Sequence, residues 1–376
     1  MSDLPEPDRI EGAPHPRETV KLLGQSRAQA AFLEAFNTGR LHHGWLITGP
    51  RGVGKATLAW QIARFLIAQP VASGPSLFGD TPPDATSLSI APDHPVSHRI
   101  AAMSEPGLFV LKRPVDEKTG KLKTVISVDE VRRLKNFFSL SSTDGGRRVV
   151  IVDAADEMNT QAANALLKFL EEPPEHTTIL LISHQPSKLL PTIRSRCREL
   201  RCHSLPPQDM ADALAAAGAG DIEEPVILAA LSSGSVGEAM RLTTLDGIKS
   251  YQLICDLMQA APGIDRQRAL SLAETAVGAK NVPKYDLLLD LFDLLLSRMA
   301  RAGVSGPPAI EAAKGEAGLF QKLSGTPVHG RAWANLQQEL STRVRHGRAV
   351  NLDPAALILD MLLKMDQTAG QLAKLQ

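Results

Sequence analysis

Short apolar runs alternate with amphipathic segments through the first 205 residues of the chain. Each apolar run after the first follows a segment with helical periodicity, and each has the length of a buried strand. This alternation predicts an α/β domain in which helices cover both faces of a parallel five-stranded sheet. Ligands of such sheets bind beyond the carboxyl ends of the strands. The predicted strands are residues 45–48, 107–111, 149–153, 178–183 and 198–202.

Beyond residue 205 the apolar positions recur at helical spacing only. Residues 70–106 are rich in Pro, Ser, Gly and Asp, and they predict an insertion or long loop within the α/β part. The predicted parts of the chain are a flexible N-terminal tail (1–18), the α/β domain (19–205), a small helical domain (206–245) and a larger all-helical domain (246–376).

Several helix starts can be placed from capping residues. Asp129 and Asn159 each precede a helical segment, and their side chains suit hydrogen bonds from the first turn. Asp353 is followed by Pro354, a residue that the first turn of a helix favours, so the last helix is predicted to begin there.

Composition narrows the classes of protein that fit. Lys and Arg total 41, as do Asp and Glu, so no net charge indicates a nucleic acid or a membrane surface as partner. The most apolar stretch, residues 285–303, carries three aspartates at helical spacing, which predicts a buried helix rather than a membrane span. The N-terminus does not fit a secretory signal, and three cysteines without disulfide spacing favour a reducing compartment, so we expect a cytoplasmic protein. The cysteines are Cys197, Cys202 and Cys255.

A glycine-rich loop lies between the first predicted strand and the helix after it. The sequence GPRGVGKATLAW, residues 49–60, matches the phosphate-binding pattern G-x-x-x-x-G-K at Gly49, Gly54 and Lys55, with Gly52 as a further glycine. Glycines let backbone N–H groups converge on phosphate oxygens, and the lysine neutralises the β and γ phosphates. The loop predicts a nucleotide-binding fold; the alternative is a retained loop that binds nothing.

The partners that such a loop needs for hydrolysis are altered. Ala56 stands where a hydroxyl should bind Mg²⁺, and Thr57 lies one residue further along the helix, rotated by about 100°. Asp153 ends the central strand and fills the second magnesium-binding position, but Ala154 replaces the carboxylate that would orient the attacking water. We therefore expect ATP binding at this site to be weak or vestigial, with little or no hydrolysis.

Two long segments carry a resemblance to a known family. Residues 38–55 (TGRLHHGWLITGPRGVGK) and 164–201 (NALLKFLEEPPEHTTILLISHQPSKLLPTIRSRCRELR) resemble the bacterial DNA polymerase III clamp loader, an AAA+ family of sliding-clamp loaders. The resemblance is good over residues 17–245 and weaker beyond. It implies an AAA+ P-loop domain, a helical lid domain and a helical collar domain for oligomerisation, in that order.

The resemblance gives one arginine a role. Ser195, Arg196 and Cys197 match the family motif whose arginine reaches into the ATP site of the neighbouring subunit. A guanidinium can bridge phosphate oxygens through two donors. An arginine that reaches into a phosphate site in this way, an arginine finger, raises the rate of hydrolysis by about 10³- to 10⁵-fold in the best-studied GTPases. The alternative is a surface salt bridge made by Arg196. Cys197 is interpreted as a packing residue, because no histidine is placed to activate its thiol.

Three altered positions indicate which kind of subunit is present. The family's ATPase subunits carry Gly-Lys-Thr in the loop, Asp-Glu at the strand end and an arginine in the lid, whereas this chain has Ala56, Ala154 and Gly237. The pattern resembles a stator subunit that does not hydrolyse ATP. It implies a hetero-oligomeric ring with ATPase subunits and delta as partners, and contact with the sliding clamp and primer–template DNA through that complex.

The resemblance also bears on zinc and DNA. Some family members hold zinc with four cysteines between the loop and the strand-end aspartate; this chain has no cysteine there, so no zinc is predicted. His94 and His98 are a weak remnant of metal-binding residues. Direct DNA contact would fall on one helix, with Arg132, Arg133 and Lys135.

Two other functions stay open at this stage. One is an autonomous AAA+ ATPase that uses Thr57 and Glu157 as displaced ligands. The other is a protein that holds a nucleotide through Lys55 without turning it over.

Overall fold

A computed structural model describes residues 6–10, 12–69, 84–139, 146–219 and 224–374. These residues form two compact units: the first contains the described residues up to 219 with Ser235–Glu238, and the second contains residues 224–234 and those from 239 onward. Residues of the predicted small domain, 206–245, are found in both units, and the boundaries drawn from the sequence stay predictions.

The first unit is built on a parallel five-stranded sheet. The strands lie in the order β2–β3–β4–β1–β5. Each of the five predicted strands is present within about one residue of its expected bounds, so the α/β prediction is confirmed. The strands are β1 (Gly44–Thr48), β2 (Leu108–Lys112), β3 (Arg148–Asp153), β4 (Thr177–Ser183) and β5 (Arg198–Arg201).

Helices cover both faces of this sheet. Alternate residues of β1 show this, because Trp45 and Ile47 belong to one buried apolar cluster and Leu46 to the other. The strands therefore read as continuous apolar runs, as parallel strands buried on both faces do. The helices of this unit are α1 (Ser26–Asn37), α2 (Lys55–Ala68), α3 (Pro95–Ala101), α4 (Val128–Ser139), α5 (Thr160–Glu171), α6 (Pro191–Arg194) and α7 (Pro207–Ala216).

Two expectations for the first unit are corrected. The predicted loop at 70–106 is wrong over Pro95–Ala101, which form α3, while residues 70–83 lie outside the described residues. The predicted flexible tail is wrong for the described part of 1–18, because the His15 ring is 2% exposed and the neighbouring carboxylates make ion pairs.

The second unit is helical. Its helices are α8 (Pro225–Leu231), α9 (Val236–Thr244) from residue 239 onward, α10 (Gly247–Gln259), α11 (Arg266–Glu274), α12 (Val282–Ser305), α13 (Glu316–Leu323), α14 (Pro327–Ala349) and α15 (Pro354–Ala373). Helices α12 and α14 pack closely at Gly303 and Gly330, where a Cβ on Gly303 would stand 2.6 Å from the Gly330 Cα. Within the described parts of the chain, none of the helices has the length and apolar content to cross a bilayer.

The predicted caps divide into two confirmed and one wrong. Asn159 accepts a hydrogen bond from the Ala162 backbone N–H, and Asp353 accepts one from Ala356. Asp129 lies inside the first turn of α4, since that helix begins at Val128.

Candidate functional site

The glycine-rich loop joins β1 to α2, as predicted. Gly49, Gly52 and Gly54 have φ angles of 142°, 74° and 97°, which other residues adopt only with strain. Gly54 immediately precedes the first turn of α2, so the loop leads directly into a helix N-terminus. This is the backbone arrangement that binds phosphate in P-loop proteins.

Two of these glycines are also required for packing within the chain. A Cβ on Gly49 would lie 2.4 Å from the carbonyl oxygen of Cys202, just after β5. A Cβ on Gly52 would lie 2.3 Å from the Ser235 hydroxyl oxygen. The glycines at 49 and 52 are therefore explained by the fold alone, and they are no proof of a bound nucleotide.

Lys55, the residue that would neutralise phosphate charge, is bonded to the loop itself. Its ammonium group donates to the carbonyl oxygens of Gly49, at 2.8 Å, and Pro50, and the residue is 3% exposed. Burial lowers the pKa of Lys55 to about 8, although Asp153 nearby acts in the opposite direction. A phosphate group would have to compete with these carbonyl oxygens for the ammonium group.

The two positions expected to bind magnesium are located as predicted, but the residues there are poor magnesium ligands. Ala56 and Thr57 both lie in the first turn of α2, and the Ala56 methyl packs against the apolar cluster on that face of the sheet. Asp153 is the last residue of β3 and is 8% exposed. Burial, and then the charges of Asp8 and Glu157, raise the pKa of Asp153 to about 7. Near neutral pH this carboxyl group is therefore protonated in part of the molecules, which weakens it as a magnesium ligand.

The carboxylates that follow Asp153 are held by other groups. Asp156 accepts a hydrogen bond from the His184 backbone N–H at 2.9 Å. Glu157 makes an ion pair with Arg113 at 2.7 Å. Ala154, between Asp153 and these residues, is 2% exposed. Neither carboxylate thus replaces the missing water-orienting group.

Arg196 lies between α6 and β5 with its side chain 37% exposed. Its Nη2 atom lies 2.8 Å from Glu171 Oε1, and Nη1 donates to the carbonyl oxygen of Thr192 at 3.1 Å. The sequence does not predict Glu171 as the partner of Arg196, because the two residues lie in separate elements and are far apart along the chain.

The position of Arg196 along the sheet separates it from its own phosphate loop. A Cβ on Gly44, the first residue of β1, would lie 3.1 Å from the Arg196 carbonyl oxygen. The phosphate loop instead follows Thr48, the last residue of β1. A strand rises by about 3.3 Å per residue, so the two sites are separated by roughly 13 Å along the strand. Arg196 therefore lies at the edge of the sheet opposite its own loop.

The remaining candidate residues have structural explanations. Burial raises the pKa of the Cys197 thiol to about 12, which agrees with a packing role. His94 Nδ1 accepts a hydrogen bond from the Val96 N–H and so caps α3. Arg132 and Arg133 on α4 pair with Asp129 and Glu130 of the same helix.

One cluster of ligating side chains was missed by the sequence analysis. Glu6, Asp8 and His15 bring a ligand atom each within 4.8 Å of one another, the one such group of three found among the described residues. His15 Nδ1 accepts a hydrogen bond from the Arg17 N–H, so in the neutral ring the proton sits on Nε2, the atom that faces the carboxylates. Arg17 and Lys112 already pair with Glu6. The cluster is thus an ion-pair network rather than a metal site.

The chain is similar to known subunits of bacterial DNA polymerase III. A family model described as "DNA polymerase III, delta subunit" matches residues 24–206. DNA polymerase III subunit delta' of Pseudomonas aeruginosa is 41% identical over 206 residues, which cover 53% of this chain and 55% of the relative. The Escherichia coli delta' subunit is 31% identical over 226 residues, covering 60% of this chain and 61% of the relative. Over these residues the chain is similar to delta' subunits of bacterial DNA polymerase III.

The chain is also similar to gamma/tau subunits of DNA polymerase III. The gamma/tau subunit of Mycobacterium bovis is 28% identical over 308 residues, covering 75% of this chain and 50% of the relative. The chain spans about half the length of the curated relatives it matches first. The α/β fold with its parallel five-stranded sheet is confirmed, and the matches support the resemblance seen in the sequence. The AAA+ assignment and the roles of Arg196 and of Gly49, Gly52, Gly54, Lys55, Ala56, Thr57 and Asp153 stay predictions.

Proposed function

We propose that this chain is the delta-prime stator of a bacterial DNA polymerase III clamp loader and acts in DNA replication. It does not hydrolyse ATP at its own site, and it supplies Arg196 in trans to the ATP site of a neighbouring ATPase subunit. Its partners are the ATPase subunits and delta in a hetero-oligomeric ring, and it meets the sliding clamp and primer–template DNA through that ring. The helical second unit joins the collar of the ring. The chain is thus a non-hydrolysing part of a DNA-directed DNA polymerase holoenzyme.

The observation that carries the proposal is the location of Arg196. The Arg196 side chain is 37% exposed and its carbonyl oxygen lies near the start of β1, whereas the phosphate loop follows the end of that strand. The Arg196 backbone is thus roughly 13 Å along the strand from its own loop, which favours a phosphate group of another chain as the partner of this arginine. The donors that Arg196 does not use for Glu171 and Thr192 are available to such a partner, since a guanidinium has five N–H groups.

The state of the local phosphate loop supports the second half of the proposal. Lys55 is bonded to loop carbonyl oxygens, Ala56 offers no oxygen to Mg²⁺, and Glu157 is paired with Arg113. In-line attack by water then lacks both a metal ligand and a positioned carboxylate. The alternative of an autonomous ATPase needs Glu157 to be released from Arg113, and no contact of the described residues favours it.

The test is reconstitution of the full ring with its ATPase subunits, clamp and primed DNA. Arg196→Ala should leave assembly intact, because the side chain is at the surface, and should lower the ATP turnover of the one site that this chain serves by about 100-fold or more. Arg194→Ala is the matched control, since Arg194 is an exposed arginine in the same segment. Equal turnover for the two variants would contradict the proposal.

The chain alone provides a second test. Without partners, wild type should hydrolyse ATP no faster than a Lys55→Ala variant, even when clamp and DNA are added. Turnover by the isolated chain that Lys55→Ala abolishes would establish the alternative function.

A further inference from the structure

The N-terminal segment of residues 6–10 and 12–18, here called the strap, runs across the region of the phosphate loop. At one end, Lys112 at the carboxyl end of β2 pairs with Glu6 at 3.0 Å and Asp8 at 3.4 Å. Lys112 is the register partner of Asp153 on β3. The strap therefore begins at the edge of the sheet where a bound nucleotide would lie.

At its other end the strap is attached to α2, the helix that follows the loop. The His15 ring meets the Trp60 ring edge-on, with centroids 6.0 Å apart. Arg64 donates to the carbonyl oxygen of Arg17 at 2.6 Å. The strap therefore links the carboxyl end of β2 to α2, the helix into which the loop of residues 49–54 leads.

Ile10, in the middle of the strap, lies against Gly237, a residue that contacts the loop. A Cβ on Gly237 would stand 2.6 Å from Ile10 Cδ1 and 3.1 Å from the Gly52 Cα. The Gly237 N–H also donates to the Gly52 carbonyl oxygen at 3.0 Å. Gly237 is thus in contact with both Ile10 and Gly52, and the space that a side chain at 237 would fill is taken by Ile10.

The charge of the strap opposes a nucleotide as well. The Asp8 side chain is 2% exposed, and its carboxylate is close enough to Asp153 to raise the pKa of that group. A buried carboxylate beside the site of a triphosphate repels it, and the interaction is strong because little water screens it. Lys112 partly offsets this charge while the strap is in place.

We infer that the strap is a closed cover over a latent nucleotide site, and that a nucleoside triphosphate binds to the phosphate loop only when the strap is displaced. The inference rests on the ion pairs of Glu6 and Asp8 with Lys112 at the end of β2, and on the packing of Ile10 against Gly237, which contacts Gly52 of the loop. It is independent of Arg196, so its failure would leave the finger role of that residue untouched.

The experiment is equilibrium binding of methylanthraniloyl-ATP with Mg²⁺ to the full chain. The variant Glu6→Gln/Asp8→Asn/Ile10→Ala keeps the length of the strap and removes its contacts, and we expect it to bind the analogue at least about tenfold more tightly than wild type, because displacing the strap then costs less. Adding Lys55→Ala should cancel the gain. Glu18→Gln, a change in an exposed acid of the strap, is the matched control and should bind as wild type does.

A second measurement covers the case in which the triple variant folds poorly. Hydrogen exchange of wild-type amides in the strap should speed up at saturating analogue, while amides of α15 should not change. Equal affinity for wild type and a folded triple variant would overturn the inference. Unchanged or slower exchange of the strap on binding would overturn it as well.

Discussion

Arg196 Nη2 and Glu171 Oε1 lie 2.8 Å apart, and this ion pair joins the end of α5 to the turn before β5. The two side chains are 37% and 48% exposed. An ion pair this exposed contributes about 0–1 kcal/mol, so a partner's phosphate can displace the carboxylate at little cost. The pair directs the guanidinium without holding it permanently.

Glu171→Gln should lower the ATP turnover of the reconstituted ring by about two- to tenfold and leave the KM for ATP unchanged, because the freed arginine samples more rotamers. The matched control is Glu172→Gln, a change in the exposed acid next to it. Steady-state ATPase assays separate the two constants. Turnover that rises in Glu171→Gln would mean that the pair restrains the arginine rather than orients it.

Asp153 should make the free energy of unfolding depend on pH. Burial raises its pKa from 3.8 to about 7, so the folded state holds the proton more tightly than the unfolded state. Stability from this group is therefore lost as pH rises from about 4 to about 7, by at most about 4 kcal/mol. Relative to wild type, Asp153→Asn should gain stability over this range, as urea unfolding at several pH values would measure. A difference between the two proteins that does not vary with pH would contradict the prediction.

Substitution of Glu316 should lower the free energy of unfolding of the second unit. Glu316 is fully buried, accepts hydrogen bonds from Tyr251 at 2.5 Å and from the Ala312 N–H at 2.7 Å, and pairs with Arg298. Glu316→Gln leaves the arginine without a counter-charge in the interior, which costs about 3–5 kcal/mol.

Hydrogen exchange of α12 amides would report this loss directly, since the chain has two units and its unfolding need not be two-state. The control is Glu339→Gln, whose partner Lys364 lies at the surface 3.3 Å away, and its cost should stay below about 1 kcal/mol. Similar exchange rates in the two variants would argue against the buried pair as a stabilising contact.

Gly49→Ala should destabilise the first unit more than Gly39→Ala. Both glycines have positive φ angles, but only at Gly49 would the new Cβ strike a backbone oxygen, at 2.4 Å, whereas at Gly39 nothing lies within 4 Å. We expect a cost of about 1 kcal/mol for Gly39→Ala and about 2–3 kcal/mol or more for Gly49→Ala. Thermal unfolding followed by circular dichroism would test this, and equal shifts would contradict the packing argument.

Local patterns predicted much of the fold. Apolar runs placed each strand within about one residue, and Asn159 and Asp353 cap their helices as expected, because both signals depend on neighbours in sequence. The composition of residues 95–101 predicts a loop, because the surrounding prolines and the shortness of this seven-residue helix leave no helical periodicity to recognise.

Such local patterns do not predict contacts between residues that are distant in sequence. The strap has the composition of a disordered tail, yet Lys112, 104 residues from Asp8, holds it in place. The sequence predicted the glycines and Lys55 of the loop, and Asp153 at the end of β3, as candidate site residues. The bonding of Lys55 to loop carbonyl oxygens, and the raised pKa of Asp153, follow from burial that only the fold creates.

We propose that this chain serves another subunit's triphosphate and not its own. The decisive experiment compares ATP turnover of the complete ring containing Arg196→Ala with that of the ring containing Lys55→Ala, at equal assembly. We expect lower turnover with Arg196→Ala and wild-type turnover with Lys55→Ala. Wild-type turnover with Arg196→Ala together with a loss in Lys55→Ala would overturn the proposal.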